Sequence, residues 1–181
     1  MTVLLFPDNT VLINFAIINR MDLLERLVKG NGRWCATVES ECRRSARVPG
    51  LDVLGSARRI FGAPWLPDAA ELQDAMIMRD GLAGPGDSRH HHLGEAETLA
   101  IMTRRRVKGL FVTDDRAATR LAARSGITAI TTWHLLKASV RSGMIKAETL
   151  WRYTITLRDY PRALPVGVAE SRASFDARLA S

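Results

Sequence analysis

The chain has 181 residues, a length that suits one α/β domain whose core needs neither disulfides nor structural metals. Its 46% hydrophobic and 25% charged residues are an ordinary globular balance, which excludes wholesale disorder. Residues 1–90 hold 11 basic and 11 acidic side chains while residues 91–181 hold 15 and 8, so the formal charge of +7 lies wholly in the second half and points to a polyanionic partner.

Thr2 to Phe6 (TVLLF) is a nearly continuous apolar run that stops at Pro7-Asp8, and it reads as a buried parallel strand delivering Asp8 at its C-terminal end. Asp8-Asn9-Thr10 offers N-caps for an apolar-periodic helix from Val11 to Arg20. Met21 to Val28 continues as a short amphipathic helix closed by Lys29-Gly30-Asn31-Gly32. Trp34 to Ala36 predicts a brief strand, and Thr37 caps a helix that ends before Pro49-Gly50. From Leu51 to Gly86 the pattern suggests a helix around Val53 to Phe61, a short run at Trp65-Leu66, a helix from Asp68 to Arg79 and a loop from Gly81 to Ser88. Leu93-Gly94 opens a helix over EAETLAIMTRRR. Leu110 to Val112 reads as a buried strand ending at Thr113-Asp114-Asp115, followed by a helix from Arg116 to Arg124. Ile127 to Ile130 is another strand, Thr131 or Thr132 caps a helix through Val140, and Glu148 to Arg158 is helical. Beyond Pro161 the tail reads as loosely ordered.

Strands alternating with helices imply a mostly parallel sheet with helices on both faces. Residues 1–150 read as one domain and residues 151–181 as a C-terminal helix and tail. The longest apolar stretch, Val11 to Ile18, is broken by Asn14 and falls short of the ~20 residues of a membrane span. With no basic segment at the N-terminus, and with Cys35 and Cys42 read as reduced thiols, the expectation is a soluble cytoplasmic protein without membrane contact.

The informative residues are acids at element ends. In a parallel sheet the C-terminal strand ends meet in one crevice, where ligands bind. Asp8 and the pair Asp114-Asp115 follow strands, Glu41 sits in the helix after Trp34–Ala36, and Glu95 and Glu97 lie in the first turn of their helix. Carboxylates packed together repel, and a divalent cation removes the conflict. Oxygen donors without His or Cys at ligand spacing favour Mg²⁺ or Mn²⁺ over Zn²⁺. Such a site activates a water against a phosphodiester, and basic surroundings hold the rest of the polyanion. Each acid also has a plainer role. Asp8 and the Asp114-Asp115 pair can cap helices, Glu95 and Glu97 suit a helix N-terminus, and Glu41 has Arg44 three residues on. Glu39, paired at i+4 with Arg43, competes with Glu41.

Asp8-Asn9-Thr10-Val11-Leu12-Ile13-Asn14-Phe15 resembles the opening Asp-x-Ser/Thr and apolar helix of PIN-domain ribonucleases. Leu93-Gly94-Glu95-Ala96-Glu97-Thr98-Leu99-Ala100 resembles the Gly-Glu-x-Glu segment of one PIN branch, and Val112-Thr113-Asp114-Asp115-Arg116 its Thr-Asp-Asp segment. The resemblance covers about residues 2 to 145 and is nearest to VapC-like toxins of bacterial toxin–antitoxin pairs. It implies a three-layer α/β/α fold and a Mg²⁺- or Mn²⁺-dependent endoribonuclease. Such an enzyme is usually a homodimer and is silenced by a cognate antitoxin. Asp8, Glu41, Glu95 and Asp115 would be the catalytic acids, with Asp114 and Asp115 together covering the last metal-ligand position. Thr10, Thr113, Arg116 and Arg120 would meet RNA. Trp133 stands where many relatives carry a small residue.

Other features are weaker. His90-His91-His92 reads as an exposed loop run, Arg104-Arg105-Arg106 suits a helix C-terminus or a phosphate, and Arg116, Arg120 and Arg124 form one helical stripe. Trp133, Trp151, Tyr153 and Tyr160 suit core or dimer packing better than base stacking. Two other classes fit less well. One is a non-catalytic PIN-like module that binds RNA or protein. The other is a phosphotransfer enzyme using Asp8 as nucleophile, which would want an Asp where Thr10 stands.

Overall fold

Three short apolar runs pair as a parallel sheet in the order β1 (Leu4–Pro7), β2 (Gly109–Val112), β3 (Thr128–Ile130). The computed structural model describes residues 3–82, 84, 86, 88, 91–160, 164, 165 and 167–181. Leu4 lies opposite Gly109 and Pro7 opposite Val112, while Leu110 faces Thr128. Alternate side chains leave opposite faces of a strand, so one face of the sheet presents Leu5, Val112 and Ile130 and the other Leu4, Phe6, Phe111 and Ala129.

Both faces are covered by helices. Toward Leu5 and Val112 pack α1 (Asn9–Ile17), α2 (Met21–Val28), α3 (Ala36–Ser45), a 3₁₀ turn at Asp52–Ser56 and α4 (Ala57–Phe61). Toward Phe6 and Phe111 pack α5 (Ala69–Leu82), α6 (Leu93–Arg104) and α7 (Arg116–Arg124), through Met78, Leu99, Met102, Ala118 and Ala122. Then α8 (Thr132–Arg141) and α9 (Ala147–Asp159) return to the first face. Cys35 and Cys42 are buried free thiols. Among the described residues no helix is long and apolar enough to cross a membrane.

Three expectations need correction. Trp34–Ala36 forms no strand. Gly32 bridges to Leu5 and Cys35 to Trp65, but α3 begins at Ala36 and leaves too little extended chain for a ladder. The loop expected from Gly81 starts later, because α5 runs through Leu82; Ala83, Pro85 and Asp87 lie outside the described residues. The C-terminal segment holds α10 (Arg172–Ala180), whose Phe175 is 0% exposed. Its ring meets Trp133 and Trp151 edge-on, with centroids 6.0 Å and 5.3 Å away. Residues 161–163 and 166 lie outside the described residues, and residue 150 falls inside α9.

What positions the site is the continuation of the ladder past the strand ends. The Asp8 N–H donates to Val112 O at 2.9 Å and the Thr113 N–H to Ile130 O at 2.9 Å. Asp8 and Thr113 are thereby set side by side at the C-terminal edge of the sheet.

Candidate active site

Asp8 is only 2% exposed, so its carboxylate needs partners. Oδ1 caps α1, accepting from the Val11 N–H at 2.9 Å and the Thr10 hydroxyl at 2.7 Å. Oδ2 accepts from the Thr113 hydroxyl at 2.5 Å. Burial nevertheless pushes the Asp8 carboxyl up to about 7, and the negative charge of Glu95 adds to it, against the hydrogen bonds from Thr113, Thr10 and Val11.

Glu41 reaches the same place from α3, whose N-terminus is carried to this edge by the bridge from Gly32 to β1. Burial raises its carboxyl to about 7, with Glu95 and Asp8 adding repulsion and Arg44 opposing it. Asp8, Glu41 and Glu95, one at a strand end and two on different helices, thus act on one another electrostatically. Glu95 stands in the first turn of α6, with Oε1 3.8 Å from His92 Nδ1. Gly94 lets this approach happen: a Cβ there would lie 2.8 Å from Glu41 Oε2.

The rival acids are occupied elsewhere. Glu97 is 3% exposed and accepts from the Thr37 N–H at 3.1 Å and the Thr37 hydroxyl at 2.6 Å, tying α6 to the first turn of α3. Glu39 pairs with Arg58 at 3.1 Å and with Arg43 at 3.9 Å. The Asp114-Asp115 pair also divides. Asp114 receives the Thr132 N–H at 3.0 Å on Oδ1, and the Thr132 hydroxyl at 2.5 Å and Asn14 Nδ2 at 2.8 Å on Oδ2. Asp115 caps α7 through one oxygen, Oδ1, which accepts from the Ala118 N–H at 2.7 Å. Its own N–H donates to the Thr113 hydroxyl at 3.1 Å, linking it through Thr113 to Asp8.

The expected substrate contacts divide in the same way. Thr113 is 0% exposed and its hydroxyl serves Asp8 and Asp115, so it positions those two acids. Thr10 likewise turns its hydroxyl to Asp8. Arg116 and Arg120 are exposed and line a cavity of about 440 Å³ that Asp114 also lines. Arg104 and Arg105 lie at the far end of α6 and pair with Asp74 and Glu71, which leaves them little part in phosphate binding. His91 stacks on His92 with ring centroids 4.0 Å apart, whereas His90 lies outside the described residues. Trp133 and Trp151 pack on Phe175, Tyr153 meets Arg20, and Tyr160 is exposed.

Compared with protein-family models, curated proteins and solved structures, the chain matches none. Among the described residues no three Asp, Glu, His or Cys side chains stand close enough to hold a metal ion as they are placed.

Two residues of this edge escape a reading of the sequence. Asn14 is buried and donates to both Asp114 and Thr132, joining α1 to the ends of β2 and β3. Its signal was its polarity inside the apolar run Val11–Ile18. Thr132 is buried in the first turn of α8 and had only a capping signature.

Proposed function

We propose that the chain is a divalent-metal-dependent endoribonuclease with a three-layer PIN-like arrangement, the toxin of a toxin–antitoxin pair. The observation that carries this reading is the convergence of Asp8, Glu41 and Glu95 at the C-terminal edge of the sheet, where burial and the negative charge of Glu95 push the carboxyls of Asp8 and Glu41 up. A fold that gathers repelling acids at the ligand-binding edge of a parallel sheet is built to receive positive charge.

The donors are carboxylate oxygens, which suit Mg²⁺ or Mn²⁺. Asp8, Glu41 and Glu95 would hold the cation, and Asp115, which caps α7 through only one oxygen, would complete the set. A divalent ion bound there would make a water nucleophilic and offset the charge of the scissile phosphate. The chain's own part is to orient its acids. Thr10 and Thr113 fix the Asp8 carboxylate, and Asn14 and Thr132 fix Asp114 behind it. Arg116 and Arg120 would receive neighbouring RNA phosphates. A homodimer and an antitoxin partner, working in the cytoplasm, belong to the same reading through the PIN-like motifs.

The test is digestion of total RNA with Mg²⁺ or Mn²⁺, with the cleaved ends mapped. Asp8→Asn and Asp115→Asn are expected to keep the fold and lose at least ~10²-fold of the cleavage, which should leave 5′-phosphate ends. Wild-type cleavage by purified Asp8→Asn, free of contaminating nuclease, would refute the assignment. A second reading, a PIN-like module that binds without cutting, is favoured by the commitment of both Asp114 oxygens to Asn14 and Thr132. It predicts salt-sensitive RNA binding with no cleavage under any divalent ion.

A further inference from the structure

The acidic edge is not the end of the charged surface. α8 starts at Thr131 and Thr132, beside Asp114, and runs away from it. His134, Lys137 and Arg141 follow at spacings of three and four residues, which places them on one face of the helix. Over the ten residues from Thr132 to Arg141 that face extends ~15 Å. Opposite it lies α10, docked by Phe175, and between the two helices is a cavity of about 780 Å³ lined by His134, Lys137, Arg141 and Arg178. The Lys137 ammonium donates to Arg178 O at 3.4 Å, which ties α8 to the last turn of α10.

This cavity and the one lined by Arg116 and Arg120 share Pro165, while Thr131 lines one and His134 the other. Together they make one path that carries Arg116, Arg120, Lys137, Arg141 and Arg178, with Asp114 at its acidic end and, among the described residues, no other acidic side chain in either lining. Several arginines elsewhere are held in ion pairs: Arg20, Arg58, Arg59, Arg79, Arg104 and Arg172 all pair with acids. Among the described residues Arg116, Arg120, Arg141 and Arg178 make no ion pair, so the charge they bring to this path is not neutralised by an acidic side chain bound to it.

We propose that the groove between α8 and α10 binds the phosphodiester backbone of single-stranded RNA as it continues past the acidic edge. A row of unpaired cations at helical spacing suits a polymer with a phosphate on every residue. Its continuity with the acidic edge favours RNA over an acidic protein segment, which would have no reason to pass Asp114. The inference takes the direction of the strand from the nuclease reading, but the chemistry of the groove is tested by binding alone.

The full chain carrying Glu95→Gln, in which cleavage is expected to be lost, is titrated against a fluorescein-labelled oligouridylate of about 15 nucleotides by anisotropy across a potassium chloride series. Replacing Arg141 and Arg178 together by Gln should weaken binding at least ~10-fold. It should also make the slope of log K against log salt shallower by about 1.4, or about 0.7 for each lost phosphate contact. Replacing both by Lys should keep the slope, and Arg104→Gln, whose residue is paired on the other side of the molecule, should change neither quantity. An unchanged slope in the Gln double variant overturns the proposal. So does loss of binding to labelled polyglutamate with RNA binding intact, which would make the groove a docking site for an acidic protein. If wild-type chain never cleaves RNA but the slope changes as stated, the nuclease reading fails and the groove stands.

Discussion

Gly94 separates two effects that usually travel together. A Cβ at this position would meet Glu41 Oε2 at 2.8 Å and Val38 Cγ2 at 3.1 Å, so alanine must displace the Glu41 carboxylate. The backbone is ordinary helix, where alanine is favoured over glycine by about 1 kcal/mol, and the displaced atom is the end of a flexible side chain. Gly94→Ala should therefore melt within ~3 °C of wild type. RNA cleavage should fall ~10²-fold, because a misplacement of about 1 Å is enough to spoil a reacting geometry. Full cleavage by a folded Gly94→Ala chain would show that the place of Glu41 does not matter. Glu95→Gln tests the repulsion directly. Removing that charge relieves both Asp8 and Glu41, so in chelator at about pH 8 the variant should melt no lower than wild type while cleavage is lost. At this scale Asp8 was readable because it follows an apolar run, but the choice of Glu41 over Glu39 and of Glu95 over Glu97 was not. Both choices depend on partners such as Arg58 and Thr37, which only the folded chain supplies.

Among the elements, the pairing of α5 with α6 turns on Glu71. This residue is 1% exposed, and its Oε2 accepts from the Asp68 N–H at 2.8 Å while Asp68 Oδ1 accepts from the Glu71 N–H at 2.8 Å, a reciprocal cap at the start of α5. Arg105, just past the end of α6, grips the same carboxylate with two nitrogens at 2.7 Å and lies over Trp65. The guanidinium holds the Glu71 carboxyl below its ordinary value of 4.5. A carboxyl lowered in the folded state contributes its stability above the unfolded pKa and loses it as pH falls through the folded value. Glu71→Gln should thus cost ~1–2 kcal/mol at neutral pH, with half-exposed Arg105 keeping the figure modest. The gap in melting temperature from wild type should be full at neutral pH and close as the pH falls below 4.5, the ordinary value from which the Glu71 carboxyl is lowered. A gap that stayed constant with pH would mean that the charge of Glu71 adds nothing. The starts of α5 and α6 could be read from the sequence, although α5 runs on to Leu82; this link could not, since Glu71 and Arg105 stand 34 residues apart.

For the molecule as a whole, what periodicity hides is how much of the core is closed by the C-terminus. Each strand lies in an apolar run visible in the chain, whereas α10 has one large buried side chain whose partners, Trp133 and Trp151, belong to α8 and α9. With so little local pattern the segment reads as tail, yet Phe175, Val168 and Leu157 are all fully buried in the same cluster as β1, α1 and α8. Truncating Phe175 leaves a void between two tryptophans and should cost ~3–5 kcal/mol. In a chain of this size that is a fall in melting temperature of ~10 °C. The acidic edge is built by other elements, so Phe175→Ala assayed well below its melting point should keep its metal-dependent cleavage of a short oligonucleotide. It should also bind long RNA more weakly, because α10 carries Arg178 and forms one wall of the groove. A melting temperature equal to wild type would return α10 to the status of an appendage. Equal binding of long RNA would remove it from the path of the strand.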